Sequence, residues 1–259
     1  MLNLGQVDRA SDRAVYRQVA DMLREKIQRG ELEPGDRLPS ESELAEHFNL
    51  TRMTIRHAIQ DLKNEGLVIS EHGRGVFVRA APPVRRLAAD RFARRHRQAG
   101  KAAFLAEAEQ SGHMADVDRI EVGYMPATAD VAHRLKVSEG ARVVRRSRRY
   151  LANGRPVEQA TSYVPADVAA GTAIEQLNTG PGGIYARMEE AGHTLSHFVE
   201  EVSARMPSPE ERRSLDMSPG VPVITLVRTA YDTAERPLEV CDTVKVAHAY
   251  VLEYRVPAQ

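Results

Sequence analysis

The sequence predicts an α+β protein in two parts: a small helical head closed by a hairpin, then a larger domain on a mostly antiparallel β-sheet. Three observations predict it. Between Leu38 and Val78 lie two short capped helices followed by a glycine-tipped hairpin. From about Val117 onward, apolar and polar residues alternate in strand-length runs, and the dipeptide Asn153-Gly154 joins two of them with a strong hairpin signal. At 259 residues with 42% hydrophobic content, the chain can fill a core in each part.

Val15, Val19, Leu23 and Ile27 repeat every four residues and predict a first helix that serves the core. Gly30 closes it, and Pro34-Gly35 turns the chain toward Leu38. Pro39 and Ser40 announce the second helix, and Glu43, three residues after the serine, completes a capping box in which hydroxyl and carboxylate satisfy each other's orphan amides. Leu44 and Phe48 give this helix its apolar stripe, and Asn49-Leu50 makes the turn. Thr51 then caps a third helix whose Ile55, Ala58, Ile59 and Leu62 face inward and which Gly66 stops.

On the opposite side of the third helix, Arg52, Arg56, Gln60 and Lys63 form one polar stripe. By itself such a stripe reads as a solvated face. The next segment changes that reading: Leu67 to Ser70 and Val76 to Val78 predict a hairpin whose tip, His72-Gly73-Arg74-Gly75, is glycine-permitted and cationic. Helix, turn, helix and basic wing in that order outline a winged helix-turn-helix. In that arrangement the first turn of the third helix, Arg52, Met53 and Thr54, meets base edges, and Arg74 lies against the minor groove or its phosphates. An arginine there can bind guanine O6 and N7 bidentately, worth about 1 to 3 kcal/mol of discrimination.

The net charge is zero, which becomes informative once divided along the chain. Residues 1–79 hold 12 Lys/Arg against 13 Asp/Glu, residues 80–101 hold 7 against 1, and the rest hold 17 against 22. The acids of the head cluster mostly before Thr51, whereas Arg52, Arg56, Lys63, Arg74 and Arg79 sit on or near the proposed contact face. A basic linker begins at Pro82-Pro83 and is expected to continue as a short helix, either adding phosphate contacts or standing as a solvated connection. The single cysteine, Cys241, excludes an internal disulfide and a cysteine-based zinc site and reads as a small buried hydrophobe. The charged opening and the lack of a long apolar run predict no signal peptide and no membrane span, hence a cytoplasmic protein.

In the second half, helices are expected at 129–135, 184–191 and 209–215, inserted between strands rather than alternating regularly with them, and a longer turn at 232–237. His193 and His197 lie four apart in a strand-like run without a partner motif, so no metal and no cofactor are expected.

The segment from Val15 to Val78 resembles the DNA-binding domain of the GntR family of bacterial transcription regulators, through its Leu-Pro-Ser-Glu entry, its Thr-Arg-x-Thr-x-Arg recognition-helix start and its His-Gly wing. The resemblance implies contacts to operator DNA from Ser42, Thr51, Arg52, Thr54, Arg56, His72 and Gly73, to which the basic wing adds Arg74. Met53 stands where a small polar residue is common in relatives, which implies an altered base preference. The second half, with Asn-Gly-x-Pro followed by Ser-Tyr-Val-Pro and a late Arg-Thr-Ala-Tyr-Asp, resembles the UTRA effector domain of the HutC branch, related in fold to chorismate lyase. Residues 1–79 are expected to form the head, 80–115 a linker with a helical segment, and 116–259 the effector-binding and dimerisation domain.

Sugar-phosphate-sensing members of that branch build their pocket from an Arg-x-Arg, a glutamate on the next strand, a Ser-x-Tyr at a helix start, and a late Glu and Tyr. In this chain Arg148 matches the first arginine, Tyr150 takes the second place, Ala160 stands for the glutamate, Gly183 replaces the serine and Tyr185 keeps the tyrosine. Glu239 matches the late glutamate and Lys245 stands in for the late tyrosine. These changes weaken a phosphate cradle but retain cations and add an aromatic wall, which points to a carboxylated or aromatic metabolite. The resemblance thus implies a homodimeric repressor that binds a DNA inverted repeat and is released by a small anionic effector. Two other classes stay open at this point: a constitutive dimeric DNA binder without ligand, and a lyase-like enzyme.

Overall fold

The computed structural model describes residues 4–71, 73–79, 84–87, 103–217 and 219–256. The chain divides into two units, Met1–Pro82 with Ser218–Val221, and Pro83–Met217 with Pro222–Gln259.

The first unit carries α1 (Val15–Gln28), α2 (Glu41–Phe48), α3 (Arg52–Asn64), and the antiparallel strands β1 (Val68–Glu71) and β2 (Gly75–Val78). Its core collects the residues that the helical spacing points inward: Val19 and Leu23 of α1, Leu44 and Phe48 of α2, and Ile55, Ala58, Ile59 and Leu62 of α3. The capping box at Ser40 and Glu43 is formed in both directions, which fixes where α2 begins. Asn49 closes α2 in the left-handed region with φ 50°, and Thr51 then accepts from the Thr54 amide at 3.2 Å to start α3. At the wing, Gly75 has φ 124°, and a Cβ there would lie 2.8 Å from Arg37 Nε, so the hairpin crosses Arg37 closely because this position has no side chain.

The second unit is a six-stranded sheet in the order β4-β5-β6-β9-β8-β7, antiparallel at every pairing. Its strands are β4 (Ala115–Pro126), β5 (Arg142–Ala152), β6 (Arg155–Pro165), β7 (Leu195–Arg205), β8 (Val223–Asp232) and β9 (Pro237–Val246). Asn153 and Gly154 both have positive φ, 51° and 74°, as a two-residue hairpin turn of this hand requires. The turn from β8 to β9 is closed by Asp232, whose carboxylate accepts from the amides of Ala234 and Arg236 at 2.9 Å.

Helices cover both faces. On one face the short α6 (Ala166–Ala169), a 3₁₀ turn at Ala173–Glu175 and α7 (Gly183–Glu190) pack a core around Val144, Val164, Ile174, Met188 and Ala230. On the other, α5 (Ala129–Leu135) packs Val131, Ala132 and Leu135 against Val143 and Val240. Two further helices, α4 (Ala103–Gln110) and α8 (Pro209–Ser214), and a 3₁₀ turn at Ala247–Ala249 complete the described helical set.

One segment departs from the sequence reading. Val84–Leu87, expected as linker, is a strand, β3, paired in parallel with β10 (Tyr250–Glu253). Arg86 is 0% exposed and ion-paired with Glu200, so it is neither a solvated linker charge nor a phosphate contact. The physical reason is burial with a partner: the Glu200 carboxylate offsets the cost of taking this guanidinium out of water. The part of the expected linker helix at 88–102 lies outside the described residues.

Candidate nucleic-acid interface and ligand cavity

In the head, the N-terminal turn of α3 and the wing carry the residues that the sequence singled out. Thr51, Arg52 and Met53 are exposed, and α3 has no acid in its first turn, so its amide dipoles and Arg52 present positive charge there. Thr54 is half-buried, its hydroxyl 2.9 Å from that of Thr51. Ser42 is exposed on α2. Arg56 is held by Glu41 of α2 through two contacts, 2.8 and 3.2 Å, and this pairing keeps the Glu41 carboxyl below its ordinary range. Glu41 takes the Nε and one terminal nitrogen of Arg56, which leaves the other terminal nitrogen for a phosphate. Farther along the stripe, Gln60 and Lys63 are half-buried, and burial pushes the Lys63 ammonium down. The open part of the stripe is therefore its N-terminal half.

At the wing, Gly73 has φ 70°, and Arg74 is 71% exposed, paired with Glu71 and lying 5.4 Å from the Phe77 ring centre. His72 lies outside the described residues.

The second unit holds a cavity of about 520 Å³ over the face of the sheet that α7 covers. Strand alternation places Arg146, Arg148 and Tyr150 on one face of β5, and all three line it. Val117, opposite Tyr150 on β4, and Phe104 of α4, whose ring centre is 4.6 Å from that of Tyr150, make an apolar wall. Across the cavity stand Tyr185 of α7 and Arg228 of β8. The rim between them is the segment 177–183, in which Gly180, Gly182 and Gly183 all have positive φ. No Cβ neighbour crowds Gly183, so the missing side chain leaves open space at the start of α7.

The electrostatics of this cavity are one-sided. Arg148 donates to the Tyr150 hydroxyl and the Ser162 hydroxyl, each at 2.8 Å, and no carboxylate stands within ion-pair distance among the described residues. Arg146 donates to the carbonyls of Ile174 at 2.8 Å and Leu177 at 3.0 Å and to that of Gln176, again without a carboxylate. Its Nε is buried without a hydrogen-bond partner. Burial, reinforced by the neighbouring Arg148 charge, lowers Arg146 to about 10, which still leaves it cationic at neutral pH. Tyr185 is pushed well above its ordinary value by burial and remains a neutral hydroxyl, donating to Glu239 while accepting from Arg228 at 2.9 Å.

Of the residues that sequence comparison suggested for this pocket, Arg148, Tyr150, Gly183 and Tyr185 come together at the cavity wall. Glu239 stands behind it, 0% exposed and tied to Tyr185 and Arg228. Ala160 is 2% exposed beside Arg148 in the sheet and does not line the cavity. The structure also keeps Lys245 out of it: that ammonium is buried against Glu158, the acid two residues before Ala160. Sequence reasoning missed Arg146 and Arg228. Arg146 was within reach, because Val144 belongs to the core on this face and alternation from Val144 turns Arg146 the same way as Arg148.

Among the described residues no group of three or more His, Cys, Asp or Glu is placed to hold a metal ion, and no helix is long and apolar enough to cross a membrane.

Residues 15–78 match the model of the bacterial regulatory proteins of the gntR family, and residues 110–251 match the UTRA domain. An HTH-type transcriptional regulator of Streptomyces coelicolor is 34% identical over 220 residues, 83% of this chain and 82% of that protein. The HTH-type transcriptional repressor NagR of Bacillus subtilis is 28% identical over 87% of each chain. In structure, a GntR-family transcriptional regulator superposes with a TM-score of 0.60 at 28% identity, covering 96% of this chain and 99% of the other. With the winged head, the antiparallel effector fold and these relationships together, the chain belongs to the GntR family of DNA-binding transcriptional regulators, in the branch that carries a C-terminal UTRA domain.

Proposed function

We propose that this protein is a homodimeric repressor whose two winged heads hold an inverted-repeat operator and which is released when a small anionic molecule enters the cavity of the UTRA domain. The cavity carries this reading: two guanidinium groups, Arg146 and Arg148, face it without a carboxylate partner among the described residues, beside an aromatic wall from Tyr150 and Phe104. That combination suits a carboxylate or phosphate on a flat or apolar body. On the DNA side, Arg52 and Thr54 are assigned to base edges, and Ser42, Thr51, Arg56, Gly73 and Arg74, with His72, to the backbone and groove edge. Two-fold symmetry is part of the proposal because one winged head buries too little surface for strong specificity. In the proposed division, 1–79 is the head and 116–259 the effector and dimerisation domain, with the intervening residues lending β3 and α4 to the latter. Operator binding implies that the protein works in the cytoplasm, beside the chromosome.

The lyase-like alternative is set aside by family membership, because this is a family of transcription regulators. To test the repressor reading, genomic fragments bound by the protein would be recovered and a thermal-shift screen run against carboxylated and phosphorylated metabolites. A hit is expected to release the recovered DNA without being consumed. A constitutive binder would show neither shift nor release, and a monomer in sedimentation at micromolar protein would remove the dimer.

A further inference from the structure

Arg228 lines the cavity on β8, and directly opposite it on β7 stands Glu200, so the two side chains share one face of the sheet. Glu200 is 8% exposed at its side chain and is ion-paired on its other side with Arg86 of β3, which is 1% exposed there. Tyr254, just past β10, donates to Glu200 at 3.1 Å, and Arg86 reaches the Tyr254 hydroxyl at 3.5 Å. β3 follows the wing in the chain with residues 79–83 between them, and it is held to β10 by four residue pairs from Val84 to Leu87.

We propose that Glu200 couples the cavity to β3 by sharing one buried carboxylate between Arg228 in the cavity wall and Arg86 in the strand that leads from the DNA-binding head. The proposal rests on the reading of the cavity as an anion site. Glu200 offsets the cost of burying the Arg86 charge, so the docking of β3 on β10 depends on how strongly that carboxylate is held elsewhere. Arg228, ion-paired with Glu239 at 3.4 Å, also feels the Glu200 charge directly across the sheet. An anion that engages Arg228 satisfies that guanidinium from the cavity side and leaves Glu200 more completely to Arg86, so occupancy tightens β3 on β10. Both sites then bias one local equilibrium, β3 docked or detached, which is the physical requirement for coupling between them.

The test is amide hydrogen exchange on the full chain, read over residues 84–87. Arg228→Gln is expected to slow exchange there about fivefold or more, the low end of typical coupling, and to have no such effect when Glu200→Gln is already present. An equal effect of Arg228→Gln in both backgrounds overturns the proposal. Should Arg228→Gln fail to fold, Arg228→Lys and the unaltered chain carry the test, the latter with inorganic phosphate as probe. Phosphate is expected to protect both the cavity segment 177–185 and residues 84–87, the second effect vanishing in Glu200→Gln. Protection of 177–185 with none at 84–87 overturns the coupling and leaves the cavity reading standing. No protection at 177–185 counts against the anion site itself, and the Arg228 and Glu200 comparison then decides the coupling.

Discussion

Lys245 donates its ammonium to Glu158 across the β6–β9 pairing, and each side chain is 1% exposed. Tyr250 donates to the same carboxylate at 2.6 Å. A charge neutralised in this way belongs to the framework behind the cavity. Lys245→Met therefore leaves a buried carboxylate without its cation and is expected to cost about 3 to 5 kcal/mol of stability, whereas Lys245→Met with Glu158→Leu should be close to neutral or stabilising. Urea unfolding of the three proteins checks this. A fully stable single variant would show that the pair is not closed to water.

The effector response is expected to depend on Arg146 and Arg148 instead. Replacing both by alanine should abolish stabilisation by any anionic hit from a thermal-shift screen, since the cavity then loses both guanidinium groups that lack a carboxylate. Each residue also makes contacts of its own, so the double variant must first be shown to melt cooperatively. An unchanged shift would place the ligand elsewhere.

These two cases show what was legible in the sequence. Element type and order followed from periodicity and turn chemistry: the helix at Ala129–Leu135 and the Asn153-Gly154 hairpin fall where the pattern puts them. The face on which Arg148 lies was equally readable. What the pattern does not carry is pairing at a distance. Lys245 finds Glu158 87 residues away, and Arg86 finds Glu200 at a separation of 114. A cation looks available until its buried partner is known, and a short basic run such as Val84–Leu87 gives no period that identifies it as one strand of a parallel pair.

A pH prediction follows from the Glu200 site. Burial alone would raise this carboxyl, but the Arg86 hydrogen bond and charge, with Arg228 and Tyr254, outweigh it and lower the carboxyl below its ordinary 4.5. A depressed folded-state value means that the stabilisation is fully present above 4.5 and is lost as pH falls through the lower, folded-state value. Acid unfolding followed by circular dichroism should therefore show a shallower loss of stability in Glu200→Gln than in the native chain over that window. Parallel curves would mean that Glu200 does not stay ionised there in the fold.

The DNA face separates into two kinds of arginine. Arg52 projects from the first turn of α3 with no ion pair among the described residues, whereas the exposed Arg74 is paired with Glu71 on the wing. A guanidinium that reads guanine loses its advantage at one base position, so Arg52→Ala should cost about 1 to 3 kcal/mol on the recovered operator and relax preference at that position. Arg74 first has to leave Glu71, an exposed pair worth roughly 0 to 1 kcal/mol, so its net contribution to a phosphate is smaller and independent of sequence. Arg74→Ala should accordingly weaken operator and non-operator DNA alike and reduce the slope of log affinity against log salt by about one. Titrations at several fixed salt concentrations distinguish the two, and a uniform loss from Arg52→Ala would move that residue from the bases to the backbone.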